Sequence, residues 1–263
     1  MLREVNRDEM YLTAITTIIG VLIGSFLNVC IIRIPKKESI VYPPSHCTSC
    51  GAKLKSSDLI PIFSYMHYKG KCIYCQEKIS IQYLITEILT GIIFLLSYIR
   101  FGLSVEFVFY TMLFCILIII SGIDYSYQII PDDLILLSFV LGITFKLISY
   151  LFLGQAFSFF NSFLGIVVGG GFLLFISIIS NGGMGGGDIK LMAVLGLWIG
   201  WKYTILALLL SFIFGGILSL VLLLLKIKSR GEMIPFGPFL ALGFLVTVLY
   251  GKSIIIWYMN AII

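Results

Sequence analysis

The chain has only thirteen acidic residues among 263, and among those in or at the ends of long apolar runs are Glu87, Asp124, Asp132, Asp133 and Asp188. An ionised group at membrane depth costs several kcal/mol unless it faces water or a partner, so each is a candidate for chemistry. Asp132 and Asp133 follow Pro131 and open an apolar run, the place of helix-capping residues. Glu87 lies about two turns into another run, where a lysine of the neighbouring basic stretch is the expected partner. Asp124 and Asp188 have no such explanation. Asp124 closes Gly122-Ile-Asp-Tyr125, and Asp188 follows Gly182-Gly-Met-Gly-Gly-Gly187. Glycine costs about 1 kcal/mol relative to alanine in a helix, so this stretch is expected to be an irregular loop with closely approachable backbone. Such backbone is tolerated at membrane depth only where protein or water satisfies it. Two aspartates converging on one water could share a proton, one activating the water while the other protonates a leaving group. The bare glycine backbone could align an extended peptide beside them. Proton-coupled transport also uses buried carboxylates and broken helices, and at this point both readings stand.

The second chemical signal is sulfur. Cys47-Thr-Ser-Cys50 and Cys72-Ile-Tyr-Cys75 form two CxxC pairs, with turn residues such as Gly51 and Gly70 beside them. Two such knuckles can supply four thiolates to one tetrahedral structural zinc ion. A loop of under fifty residues has little core of its own and needs such a staple. His46 reads as a neighbour of the site and His67 as a surface residue. Cys30 and Cys115 fall within apolar runs and read as small buried hydrophobes.

The elements that must position these groups follow from composition. Hydrophobic residues make up 59% of the chain and charged residues 12%, with a mean hydropathy of +1.07, which excludes a soluble globule. A hydrocarbon layer of roughly 30 Å needs about 20 apolar residues per crossing. Suitable runs are Met10 to Ile32, Ile81 to Ile99, Val105 to Ile123, Leu134 to Leu153, Phe159 to Ser180, Ile189 to Trp201, Tyr203 to Leu225 and Phe236 to Tyr258. The expected fold is therefore an all-α polytopic membrane protein of about eight transmembrane helices. The sixth run is short and Gly-flanked, as a half-helix or a helix continuing into the next would be. The first is too long, and lacks the small-residue cleavage site, for a removed signal peptide.

The only large polar stretch, residues 33–80, carries eight lysines and arginines against Glu38, Asp58 and Glu77. The positive-inside rule puts it in the cytoplasm. Alternation then places Lys226, Lys228 and Arg230 on the same side, the N-terminus outside, and Asp124 and Asp188 at the cytoplasmic boundary. A cytoplasmic setting disfavours disulfides for the two CxxC pairs. The chain divides accordingly into 1–32, an external N-terminus and first helix; 33–80, a cytoplasmic zinc-stapled loop; and 81–263, a transmembrane core.

In order, spacing and agreement with this topology, the motifs resemble the bifunctional type IV prepilin leader peptidase/N-methyltransferase family, a group of GxGD-type intramembrane aspartyl proteases. The resemblance runs through Gly24-Ser-Phe-Leu-Asn-Val29, Arg33-Ile-Pro35, Pro43-Pro-Ser-His-Cys47 with Cys50, Asp58-Leu-Ile-Pro61, Gly70-Lys-Cys72 with Cys75, and Ile79-Ser80 with Tyr83 and Glu87. It continues through Asp124 to Ile130-Pro131-Asp132, Gly185-Gly-Gly-Asp188-Ile-Lys190-Leu191 and Gly196-Leu-Trp198-Ile-Gly200. The resemblance implies cleavage of prepilins or pseudopilins after a glycine, behind a short basic leader, at the cytoplasmic face of a bacterial cytoplasmic membrane. Methylation of the new N-terminus by S-adenosylmethionine would follow. It implies catalytic roles for Asp124 and Asp188, supporting roles for Gly185, Gly186, Gly187 and Lys190, and zinc ligation by Cys47, Cys50, Cys72 and Cys75. The methyltransferase function is associated with the loop, and so with Asp58, Gly70 and Lys71. Lys69 stands where many members carry arginine, and a bidentate contact does not survive that exchange, so a peptidase without methyl transfer is the alternative. The partners implied are pilin precursors and the bilayer, with no nucleic acid.

Overall fold

A computed structural model describes residues 7–47, 49–154, 158–227 and 234–262. Lys228 and Arg230, used above as a topology signal, lie outside the described residues. Among those residues the chain is helical, with no strands beyond two isolated bridges, and seven helices are long and apolar enough to cross a membrane. It divides into two compact units, Met1–Ile119 and Ile120–Ile263.

The first unit is built on α1 (Arg7–Arg33) and α3 (Ile81–Phe101). Lipid tails are as apolar as leucine, so helices in a membrane gain little by hiding apolar surface and associate through close packing instead. Gly20 and Gly24 on α1, four residues apart, allow this. A Cβ on Gly24 would come within 2.8 Å of the Glu87 Cα, and one on Gly20 within 2.7 Å of the Phe94 Cβ. From the other side, Gly91 of α3 makes room for Val21. The Asn28 side-chain amide donates to the Tyr83 carbonyl at 3.1 Å and ties the two helices near one end. Between them the loop holds a short 3-10 turn (Ser56–Leu59) and α2 (Phe63–His67). The buried Arg33 guanidinium donates to the Ser39 and Pro43 carbonyls at 2.9 and 2.8 Å, so the loop's first turn closes onto the end of α1. The helix α4 (Val105–Tyr127) follows.

The second unit contains the end of α4 with α5 (Asp132–Leu153), α6 (Phe159–Ile179), α7 (Gly186–Leu224) and α8 (Gly237–Ile262). Its core centres on Trp198, 1% exposed, whose indole N–H donates to the Ser138 carbonyl at 3.1 Å and whose ring stacks on Phe145. Gly142 of α5 leaves the space for that indole.

A straight helix of 39 residues would run about 58 Å, far beyond a bilayer core. Instead α7 turns back at Gly200, whose backbone (φ 73°, ψ 168°) lies in a region open essentially to glycine alone. Contacts with α6 show the reversal. A Cβ on Gly169 would meet both the Met192 carbonyl oxygen at 2.5 Å and the Thr204 methyl at 3.2 Å, yet twelve residues of straight helix span about 18 Å. One turn earlier on α6, Gly165 lies against Gly196, and further along the Phe172 ring meets Phe212 edge-on at 6.1 Å. The arm 186–199 therefore runs antiparallel to α6 and the arm 201–224 parallel to it. A second observation agrees: the N–H of Gly237, at the start of α8, bonds the carboxylate of Asp124, near the end of α4. The chain must then return to the same end of the unit between Asp188 and Gly237. The sixth and seventh runs of the sequence are thus one helix broken at Gly200, and seven helices make the eight expected passes.

Replacing Gly200 with alanine should destabilise the protein by about 1–3 kcal/mol from backbone strain alone, and the added Cβ would also run into the Asn161 amide. Gly171→Ala, on a helix with open space around it, should be close to neutral. Thermal unfolding of both variants in detergent measures the difference.

Candidate active site and metal centre

Three helix ends meet at one end of the second unit. Asp124 sits one turn before the end of α4, Asp188 in the first turn of α7, and Gly237 opens α8. Both aspartates are buried, and the charge of Asp124 is felt at Asp188. One Asp124 oxygen, Oδ2, accepts the Gly237 N–H at 2.8 Å. A Cβ on Gly237 would stand 2.8 Å from that same oxygen, so glycine is what lets the start of α8 reach the carboxylate. Asp188 folds back over the helix start, close to the N-cap residue Gly185. A Cβ on Gly185 would fall 2.9 Å from the Asp188 Oδ2. The other oxygen, Oδ1, is buried with no hydrogen-bond partner.

The glycine stretch is less irregular than its composition suggests. Gly186 and Gly187 belong to the first turn of α7. Glycine at 187 is required by approach rather than looping, since a Cβ there would lie 2.8 Å from that of Ile130. Only residues 180–185 form the loop, with Gly182 at φ 93°. It is pinned to α6 by Gly183 N–H to Ser180 Oγ at 3.0 Å and by Ser177 Oγ to the Met184 carbonyl at 3.3 Å.

Two expectations need correction. Asp132 and Asp133 occupy the first turn of α5, but Pro131 is the cap residue and neither carboxylate caps the helix. Asp132 instead binds the Lys190 ammonium through both oxygens, at 2.8 and 3.0 Å, joining the starts of α5 and α7. Among the described residues, Glu87 has no lysine partner. Its Oε2 accepts the backbone N–H of Ile62 at 2.7 Å, the cap residue of α2.

In the first unit the four cysteine sulfurs of Cys47, Cys50, Cys72 and Cys75 all lie within 4.8 Å of one another, and the cluster could hold one metal ion. The Cys47 and Cys75 sulfurs are 3.9 Å apart, close to the roughly 3.8 Å edge of a tetrahedron with 2.3 Å metal–sulfur bonds. All four are free thiols. The two knuckles share one construction. Cys47 N–H bonds the Ala52 carbonyl and Gly51 N–H the Cys47 carbonyl; Cys72 N–H bonds the Glu77 carbonyl and Gln76 N–H the Cys72 carbonyl. Antiparallel bridges close each one, His46 with Lys53 and Lys71 with Lys78. The N–H groups of Cys50 and Ser49 hold the Cys47 thiol down at about 6. Cys75, although the Glu77 N–H favours its thiolate, is pushed up to about 12 by desolvation and by the sulfurs of Cys72, Cys50 and Cys47. Four crowded thiols cannot all ionise without a cation among them, which is what a metal supplies.

The three residues associated with methyl transfer do not share one role. Asp58 closes the 3-10 turn, accepting the Lys55 N–H at 3.0 Å and the Ser57 hydroxyl at 3.2 Å. Gly70 is a buried left-handed residue (φ 67°) against the Tyr65 ring. Lys71 alone borders a cleft of about 280 Å³, together with His67, Tyr68, Lys69, Cys72, Ile73 and Gln76.

Gly237 is the site residue that sequence reading passed over. Its signal was present in Phe236-Gly-Pro238, a glycine held before a proline at the mouth of an apolar run. Nothing in the sequence said which aspartate that run would meet.

A bundle of apolar helices with two buried, mutually interacting aspartates at one end defines the class of membrane-embedded aspartate proteins. The comparisons give the family. Residues 111–220 match the type IV leader peptidase family, and residues 18–101 match the bacterial peptidase A24 N-terminal domain. The chain belongs to the type IV leader peptidase family. Among similar proteins, the prepilin leader peptidase/N-methyltransferase of Bacillus subtilis is 35% identical over 94% of this chain and 98% of its own length. The protein of that description in Pseudomonas putida is 31% identical over 94% and 93%, and that of Legionella pneumophila 32% over 95% and 95%. No solved structure is a significant match.

The left-handed corner of the first knuckle is Gly51 (φ 71°), whereas the second uses Gln76 (φ 61°). A non-glycine residue in that conformation costs roughly 1 kcal/mol, so Gln76→Gly should tighten the second knuckle by about that much. Gly51→Ala, with open space around its Cβ, should loosen the first. Rates of metal transfer to a competing chelator should fall for the former and rise for the latter.

Proposed function

We propose that this protein is a bifunctional membrane enzyme, which removes the basic leader of type IV prepilins or pseudopilins after a glycine and then N-methylates the exposed residue. Support comes from the buried meeting of Asp124 and Asp188 and from relatives described as prepilin leader peptidase/N-methyltransferase. The N-terminus is external and the aspartates face the cytoplasm, on the reading of the basic residues of the loop.

In the peptidase half, like-charge repulsion lets the two aspartates hold one proton between them. The carboxylate that is ionised takes a proton from water as the water attacks the scissile carbonyl. The protonated one then gives its proton to the leaving amine. The Gly237 N–H keeps Asp124 oriented through one oxygen, and Asp188 Oδ1, unpartnered in the fold, is available to the reacting water. The Lys190–Asp132 pair holds the starts of α5 and α7 together beside the glycines. A prepilin would present its leader to the cytoplasm and its apolar helix to the bilayer, so its scissile bond would lie at the depth of this helix end.

In the methyl-transfer half, Cys47, Cys50, Cys72 and Cys75 would hold Zn2+ as a structural ion. It would staple the loop and leave the chemistry to its surroundings. S-adenosylmethionine would supply the methyl group, and the cleft beside Lys69 and Lys71 is where the loop offers room and cations for its carboxylate. Asp58 and Gly70 act by shaping the loop.

Incubating the purified protein with a prepilin and S-adenosylmethionine should yield a product that has lost its leader and gained one N-terminal methyl group, read by mass spectrometry. Asp124→Asn and Asp188→Asn should each cut leader removal by about 10²-fold or more, while membrane insertion persists. Normal processing by either variant would refute the peptidase assignment, and an unmethylated product from the native protein would refute methyl transfer alone. Elemental analysis should find about one zinc per chain, and Cys72→Ser should lose it.

A further inference from the structure

The loop of the first unit carries apolar side chains in an unusual place. Leu59, Ile60, Phe63 and Met66 are all exposed, Phe63 at 74% and Met66 at 67%. Phe63 and Met66, three residues apart on α2, share one face, and Leu59 and Ile60 are exposed just before it, across a tight turn at Ile62 (φ 63°) closed by Phe63 N–H to the Pro61 carbonyl. In a soluble loop such a face would be a liability.

Its height relative to α3 is fixed by one hydrogen bond. Ile62 N–H donates to Glu87 Oε2, and Glu87 is six residues into α3, about 9 Å along the helix from its start at Ile81. Exposed apolar residues of the same helix pair, Ile81, Ile85 and Leu89 on α3 and Leu22 and Phe26 on α1, flank that height. The segment thus runs beside membrane-spanning helices below their polar end.

Several of its backbone donors are satisfied internally, as that setting favours, where an unsatisfied peptide group costs several kcal/mol. Pro61 has no N–H to satisfy. The N–H of Ile62 goes to Glu87, that of Phe63 to the Pro61 carbonyl, that of Ser64 to Ile60, and that of Met66 to Ile62. The Ser64 hydroxyl donates to the Ile60 and Ser57 carbonyls. Exposed Lys55 before the segment and Lys69 after it stand where anionic headgroups would meet them.

We propose that residues 59–66 form a membrane-interface wedge, with Leu59, Ile60, Phe63 and Met66 seated in lipid at the headgroup–acyl boundary. Apolar faces of interfacial helices enter that boundary by about 5–10 Å, the depth that the Glu87 bond sets here. The wedge would hold the metal-stapled loop against the bilayer, continuous with the lipid-facing sides of α1 and α3.

The test is photocrosslinking of the full chain with benzoylphenylalanine at position 63, and separately at 66, in vesicles of phosphatidylethanolamine and phosphatidylglycerol. Position 74, an exposed tyrosine on the second cysteine knuckle, is the reference. Intact-mass analysis should show phospholipid adducts at 63 and 66 several-fold above those at 74, with metal content retained. Lipid adducts no more frequent than at 74 would overturn the proposal. So would crosslinks formed only within the chain, to a second copy or to an added prepilin, which would make this face a protein-docking surface.

Discussion

A backbone N–H that begins a helix inside an apolar layer has no water to turn to, and in this protein buried carboxylates accept it. Glu87 takes the N–H of Ile62 at the cap of α2, and Asp124 that of Gly237 at the start of α8. Each bond satisfies a donor that the helix cannot satisfy itself and gives a costly buried acid a partner. The same bonds place the chain: one sets the height of the loop against α3, and the other brings the start of α8 to Asp124. Chemistry and architecture therefore draw on the same few charges.

Glycine makes these meetings geometrically possible, for two separate reasons. At Gly237, Gly185 and Gly187 the issue is distance, since a Cβ would stand within 3 Å of a carboxylate oxygen or an isoleucine. At Gly200 the issue is also the backbone, where the chain doubles back in a conformation that side chains resist. Without that reversal α7 would carry the start of α8 to the opposite end of the unit, and Asp124 would lose its hydrogen-bond donor. Distant residues on one helix thus serve the site without touching it.

The metal centre obeys a different constraint. Its loop is too small to bury a core, and its two knuckles repeat one hydrogen-bond pattern so that four sulfurs converge. Contacts from Arg33 at the end of α1 and from Glu87 within α3 tie the remainder to the two helices. The loop is therefore gathered at one end by four converging sulfurs and held at the other by charges of the helices.

Most of the fold class was legible in the sequence, because a hydrocarbon layer imposes a length and a composition that no soluble protein needs to meet. The paired CxxC spacing revealed the metal cluster for a similar reason: four thiolates at short local separations have few other uses. Asp124 and Asp188 stood out because ionisable residues at membrane depth are rare. The partners of these groups were not legible, since they are backbone atoms, and any residue but proline offers an N–H. Ile62 and Gly237 carry no chemical signature of their role, and the lysine expected beside Glu87 turned out to be a peptide group. Nor could the runs on either side of Gly200 reveal that they form one doubled helix, because hydropathy records how much chain is apolar and not where it turns. The sequence by itself determined which groups must be hidden from lipid. Only the tertiary structure decided which backbone donor each would meet, because that choice depends on distances between segments far apart along the chain.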